Sequence, residues 1–423
     1  MRSLAFSLLC SIVASASLAQ DSRGLEDLFS PGFLVEDRNG DGLADFVRAG
    51  LALGESPSPG VIAAASDVAA RLGFETMAMD LPLAGTAGGP VIEFRGAVGT
   101  LRAGEGGVTL EPGRVVVSGA DDEGLRAAAA ALAGRMPHLW DPEGPTLGTV
   151  LADVSSRLGF TPRSARAEEM RFTREGVALL KLVIEVSAEE LERAREALTG
   201  VLSYEHVEVV AARLVAGSRS VEIGISTKPA PIVGAPSPPR PGAAAKHDLD
   251  LSNLYTPEGL LGDSDQNLIA DRLDAVLSPG ERHPATMDLA ARLGLEGAGI
   301  SIPIVKLPSE IESPEDEPTL ILVGEHPLLP VGTVALDEGV GSIRVIPRAF
   351  GEKPALAIQG GDEAGVARAL DQLASPGEPA RTRPISASSR SKWSCPSPTR
   401  RSASSARFCL RWTPFTRMSI SPL

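Results

Sequence analysis

The sequence predicts an α/β (α+β) protein in which two copies of one α/β sandwich module flank a small βαββ domain. Three matches within the chain lead there. Residues 28–45, "LFSPGFLVEDRNGDGLAD", align without a gap on residues 254–271, "LYTPEGLLGDSDQNLIAD", at an offset of 226. Residues 67–83, "DVAARLGFETMAMDLPL", align on 288–304, "DLAARLGLEGAGISIPI", at an offset of 221. Residues 115–133, "VVVSGADDEGLRAAAAALA", align on 356–374, "LAIQGGDEAGVARALDQLA", at an offset of 241. The offset changes only in loops, where insertions cost little. Collinear matches with so long a period imply a module used twice and exclude a short-period solenoid.

Residues 1–19 read as a secretory signal, with one cation (Arg2), an apolar run from Leu4 to Val13 and small residues leading to Ala19. The run is too short for an ordinary transmembrane helix, so a secreted or periplasmic protein with no integral membrane segment after cleavage is expected. Beyond Cys10, cysteine occurs only as Cys395 and Cys409. Residues 20–374 therefore offer no thiol redox chemistry and no cysteine zinc site.

The first module (20–148) opens with an Asp-rich loop, then "DFVRAGLAL", whose alternation predicts a half-buried strand. A helix is expected over 61–72, closed by Gly73 in a left-handed conformation. Apolar strands follow near 77–83 and 91–94. A last strand runs into "GADDEG" and an alanine-rich helix whose first amides Asp121 or Asp122 would cap. The second module (248–375) repeats this order: "DRLDAVLS", a helix over 284–293 closed by Gly294, strands near 300–305 and 319–323, then "GGDEAG" and a helix.

Between them, residues 149–225 predict the βαββ domain. "VALLKLVIEV" (177–186) is a strand, Ser187 and Glu190 form a capping box for a helix ended by Gly200, and strands follow near 206–214 and 220–225. Residues 226–247 are rich in Pro and Ala and read as a semi-rigid linker.

The tail (376–423) changes character to Ser, Arg and Pro, with nine cations against the single anion Glu378. The change falls where the second module should continue as the first does. It is read as translation in a shifted frame, which would leave any downstream domain missing; a basic disordered arm is the other reading. Set apart from this tail, the body is more acidic than the chain's net charge of −14. Such a body disfavours nucleic acid and anionic membranes and favours divalent cations.

In the first loop, Asp37, Asn39, Asp41 and Asp45 stand at positions 1, 3, 5 and 9, with Gly42 permitting a sharp turn and the Leu43 carbonyl as a further ligand. Alternate oxygen donors in a tight loop suit Ca2+, which accepts about six to eight oxygens in flexible geometry. The second loop places Asp263, Asp265, Asn267 and Asp271 at the same positions, and is weaker because Leu268 replaces the glycine. "DRNGDGLADFV" resembles the calcium loops of integrin-type FG-GAP repeats, and its first half resembles dockerin and EF-hand loops. It departs from the latter at position 12, where Arg48 replaces an acid. That resemblance implies ion binding without implying a propeller.

The order helix, strand, strand, then "SGADDEGLRAAAAALA" resembles the α/β domain that precedes the barrel in bacterial glycoside hydrolases of the family-20 hexosaminidase and α-glucuronidase type. Similar modules occur in periplasmic polysaccharide-export subunits. The matching positions are Gly119, Asp121 and Gly124, then Gly360, Asp362 and Gly365. Since that domain is structural, the resemblance implies no catalytic residue.

No sequence feature identifies a reaction. The five histidines (His138, His206, His247, His283, His326) show no metal-ligand spacing, and nucleophile-elbow, P-loop and dinucleotide motifs are missing from the sequence. Trp140 in "PHLWDPEG" could stack on a sugar, although a core role is the simpler reading. The expected function is therefore an exported non-catalytic scaffold or binding protein, with a polysaccharide or cell-surface protein as its partner. The alternative is the accessory front of a larger secreted hydrolase.

Overall fold

A computed structural model describes residues 23–375 apart from 86–87, 135, 139–145, 163, 174–175, 187–188, 199–202, 205–206, 215–219, 228–248, 265–266, 268, 281 and 330–334. The signal segment, Ser187, His206, most of the linker, His247, Trp140, Asp265 and the tail lie outside the described residues. The fold is α/β, with mixed parallel and antiparallel sheets.

The first half begins with the pair β1 (Val35–Glu36) and β2 (Phe46–Val47), which holds the Asp-rich loop between its arms. Strand β3 (Gly50–Ala52), helix α1 (Pro59–Phe74), β4 (Val91–Arg95), the hairpin β5 (Gly106–Glu111) and β6 (Arg114–Gly119), and helix α2 (Asp122–Gly134) follow. In the second half, β12 (Leu261–Gly262) and β13 (Arg272–Leu273) hold the second loop. After them come β14 (Ala275–Pro279), α5 (Thr286–Glu296), β15 (Thr319–Val323), β16 (Gly341–Phe350), β17 (Lys353–Gly360) and α6 (Glu363–Ala374). Strands run in the order β3-β4-β6-β5 in the first half and β14-β15-β17-β16 in the second. The senses also agree: β3, β4 and β6 are parallel with β5 antiparallel, and β14, β15 and β17 are parallel with β16 antiparallel.

The intervening segment contains more than the sequence suggested. Helix α3 (Leu147–Arg157) and strand β7 (Ser164–Thr173) precede β8 (Gly176–Glu185), α4 (Leu191–Leu198), β9 (Ser203–Tyr204), β10 (Val207–Leu214) and β11 (Ser220–Thr227). Strand β7 pairs with β5, so these strands extend the first sheet to nine, in the order β3-β4-β6-β5-β7-β8-β11-β10-β9. Alternation in β7 is broken by a register shift between Ala167 and Glu169 and by the adjacent Glu168 and Glu169, which hid it in the sequence.

Helix α2 packs on β5 and β6, α6 packs on β16 and β17, and the halves meet through α1 and α5. Ser58 caps α1, accepting from the Val61 amide at 3.2 Å, and Pro59 occupies the first turn, where an amide hydrogen is not needed. Residues 60–70 of α1 are buried on all sides, as expected for a helix between two layers. The abundant alanine explains how: with no side chain beyond Cβ, the helices approach closely. Ala63 and Ala70 of α1 belong to the core of the second half, and Met287 and Ala291 of α5 to that of the first.

Gly73 and Gly294 correct the sequence reading. Neither terminates its helix, since α1 runs on to Phe74 and α5 to Glu296, and neither has positive φ. A Cβ on Gly73 would lie 2.0 Å from the Ala291 carbonyl oxygen, and one on Gly294 2.0 Å from that of Ala70. The glycines thus serve a reciprocal close crossing of backbones. Segments 77–83 and 300–305 are likewise not strands. They pair only through isolated parallel bridges, Ala78 with Phe46 and Ala84 with Leu51 in the first, Val305 with Leu277 in the second. Pro82 and Pro303 remove a ladder donor from each.

Candidate functional site

The first loop is ordered by its own polar side chains. Asp37 accepts from the Gly40 amide at 2.6 Å and, through its other oxygen, from the Gly42 amide at 2.8 Å. Asn39 Oδ1 accepts from Asp41 N and Asp41 Oδ1 from Leu43 N, both at 2.8 Å. Asp45 reaches back across the loop to the amides of Arg38 (2.7 Å) and Asn39 (3.1 Å). These bonds need φ > 0 at Gly40 and Gly42 (79° and 87°), which glycine adopts without strain. The Gly42 amide is the first cause, followed by the Gly40 amide and its neighbours, holding the Asp37 carboxyl below its ordinary range despite some desolvation.

Three of the four side chains converge. Asn39 Nδ2 lies 3.2 Å from both Asp41 Oδ2 and Asp45 Oδ1. Asp37 instead accepts from the two glycine amides. Among the described residues, no three His, Cys, Asp or Glu side chains gather closely enough to hold a metal. The donors themselves fit a hard divalent cation: all carry oxygen, in one turn, with the Leu43 carbonyl close in sequence. Leu43 is exposed at the tip.

The second loop repeats the framework. Asp271 accepts from the Ser264 amide at 3.0 and 3.1 Å and from the Ser264 hydroxyl, as Asp45 does from Arg38. Asn267 Oδ1 accepts from Ile269 N at 2.8 Å, as Asp41 does from Leu43. Asp263 Oδ1 accepts from Asn267 N at 3.1 Å. The Ser264 hydroxyl, more than its amide, holds the Asp271 carboxyl below its ordinary range, with Arg272 adding to the effect.

Each loop is tied to the joint between the halves. The Asp45 carbonyl accepts from Met77 N (3.1 Å) and Ala78 N (2.9 Å), and the segment from there reaches Leu83, whose amide donates to Asp288 Oδ1 of α5 at 2.8 Å. On the other side, the Ala270 carbonyl accepts from Ala298 N at 2.7 Å. That segment reaches Ile304 and Val305, whose amides donate to Asp67 Oδ1 of α1 at 2.9 and 3.3 Å. Asp67 and Asp288 occupy equivalent positions in the sequence alignment, as do Leu83 and Ile304. Burial, first of all, pushes the Asp67 carboxyl up to about 7; Arg126 and the two amides oppose the rise and Glu310 adds to it. Burial raises Asp288 to about 6, with Asp371 adding and the Leu83 amide opposing.

This reciprocal contact carried no recognised signal in the sequence. What could have revealed it is the aspartate that stands two positions before the shared Ala-Ala-Arg-Leu-Gly run in both halves, Asp67 within α1 and Asp288 in the first turn of α5. Arg126 adds an unsymmetrical link, donating to the Val305 carbonyl at 3.1 Å and to Glu310.

The capping expectation for the helix starts is met in detail: Asp121 accepts from Gly124 N and Gly104 N, each at 2.8 Å, and Asp362 from Gly365 N at 2.7 Å. Asp122 instead accepts from the Ser58 hydroxyl at 2.9 Å. His326 is buried beside Ser278 (Nε2 to Oγ 3.0 Å), and burial pushes its imidazole down to about 4. A shallow hollow beside the first loop is bounded by Glu36, Arg38, Arg48 and Asp80; Arg38 there stacks 3.5 Å over Phe46 and pairs with Glu36. Neither a protein-family model nor a curated protein matches this chain. No helix among the described residues is long and apolar enough to cross a membrane.

Proposed function

We propose that this chain is an exported, non-catalytic scaffold or binding protein whose two repeated modules are stiffened by calcium held in the first loop and, more weakly, the second. One observation carries the non-catalytic part. Every buried carboxylate among the described residues is engaged by a structural partner: Asp67 and Asp288 by amides of the opposite half, Glu105 by Arg102 N at 3.0 Å, and Asp274 by Arg272 at 2.7 Å. None of these four lines the hollow beside the first loop, where acid–base hydrolysis would need a pair of carboxylates facing a substrate.

In this reading Asp37, Asn39, Asp41, Asp45 and the Leu43 carbonyl hold the first ion. Asp263, Asp265, Asn267 and Asp271 are the weaker set. Bound calcium would supply charge neutralisation among carboxylates that otherwise repel. The loop would then hold the Asp45 carbonyl still, and with it the segment that seats Leu83 on Asp288. Thermal unfolding of the full chain with calcium and with chelator tests this. The wild type gains melting temperature with calcium and Asp41→Ala gains less. Equal melting temperatures for the wild type in both conditions would defeat the proposal.

A further inference from the structure

Three of the four outer edges in the two equivalent four-stranded sets are covered by described parts of the chain. Along β3, Leu51 N donates to the Leu83 carbonyl at 2.8 Å and Gly85 N to the Leu51 carbonyl at 2.9 Å. Along β14, Leu277 N donates to the Ile304 carbonyl at 2.9 Å and Lys306 N to the Leu277 carbonyl at 3.0 Å. Strand β5 is covered by β7, with Gly106 opposite Phe172 and Val108 opposite Met170. The fourth edge is β16, and among the described residues no strand or bridge pairs with its outer side.

The burial of matching residues reflects this difference. Gly106 pairs with Gly119 and Gly341 with Gly360, which sets Val108 and Ile343 at the same place in their sheets. Val108, with β7 beside it, is fully buried, whereas Ile343 is only half-buried. An open edge with half-covered apolar side chains is a template for another strand. Its usable length is limited: Pro347 has no amide hydrogen, and Arg348 sits at φ 53° beside a register shift. That leaves Gly341–Ile346, about six residues and a normal strand length.

We propose that this edge docks against the same edge of a second copy, forming a two-fold dimer whose sheet is continuous across the axis. Two features favour a second copy. The slot that β7 fills in the first half takes an antiparallel strand, and antiparallel pairing is the sense a two-fold axis imposes on identical strands. With the axis at Ile343, the register is also self-complementary. Ile343 faces its own counterpart, Gly341 faces Val345, and Ser342 faces Arg344, so no like charges oppose.

Sedimentation of the full chain across a concentration series is expected to show a monomer–dimer equilibrium. Ile343→Lys, which would set two like charges face to face at the axis, should raise its dissociation constant at least about tenfold. With Cys10, Cys395 and Cys409 replaced by serine, Ile343→Cys is expected to cross-link to itself on oxidation and Ser342→Cys far less, since only the former meets its own copy. Unchanged far-ultraviolet dichroism shows that both variants fold. A monomer at every concentration overturns the proposal, and so does a dimer that cross-links no better through position 343 than through 342.

Discussion

Replacing Asp67 by asparagine is expected to remove a pH-dependent weakness from the joint between the halves. Asp67 is 2% exposed, and the folded protein raises its carboxyl from an ordinary 3.8 to about 7. The folded state therefore binds this proton more tightly than the unfolded chain. Its contribution is fully favourable below about pH 4, declines as pH rises, and levels off above pH 7. From those two values, the wild type loses about 2–3 kcal/mol through this group between pH 5 and pH 8.

The substituted amide keeps an oxygen for the Ile304 and Val305 amides but has no charge to desolvate. At pH 5 the folded carboxyl is already largely neutral, so the gain there is smaller than at pH 8. Urea unfolding at pH 5 and pH 8 should show Asp67→Asn gaining about 2 kcal/mol on the wild type over that interval. Other titrations, including Glu26 (raised to about 7, first by burial) and His326 (lowered to about 4), cancel in the comparison. If the wild type and Asp67→Asn respond identically to pH, the carboxyl is not buried at this joint and the account of the interface fails.

Gly73→Ala and Gly294→Ala should each destabilise by about 1–3 kcal/mol although alanine favours helix, because each Cβ would meet an opposing carbonyl oxygen at 2.0 Å. Chemical denaturation checks this, and a neutral result for either would mean the helices are farther apart. Arg126→Ala removes a guanidinium that bridges the Val305 carbonyl and Glu310 and favours ionised Asp67, so a loss of about 1–3 kcal/mol is expected at pH 8. The same substitution should cost less at pH 5, where Asp67 is largely neutral; equal losses at both would exclude the electrostatic part of its role.

Much of each module could be read in the sequence, because the three matched segments carry its recurring helices, its last strand and its Asp-rich loop. The hairpins β5–β6 and β16–β17 go beyond the elements the sequence predicts, although their turns are marked, by Pro112-Gly113 in the first and Gly351 in the second, with φ of 73° and 63° at the glycines. Helix α3 was passed over although Thr146 caps it, accepting from Thr149 N at 3.2 Å, and Leu147, Val150, Leu151 and Val154 form a buried stripe. Gly73 and Gly294 misled for a physical reason. A glycine near the end of a helix has the same appearance whether it supplies positive φ or room for a neighbour, and only the packing partner distinguishes them. Asp67 and Asp288 were hidden similarly, since their amide donors lie more than 200 residues away. The loop ligands stood out because their partners are local: each side-chain acceptor in the first loop bonds within seven residues.

Calorimetric titration of the full chain with calcium bears most directly on the reading of these loops. Heat of binding is expected for the wild type, abolished at the tighter site by Asp41→Ala and reduced only at the weaker one by Asn267→Ala. No heat for the wild type, or identical curves for the wild type and Asp41→Ala, would contradict it.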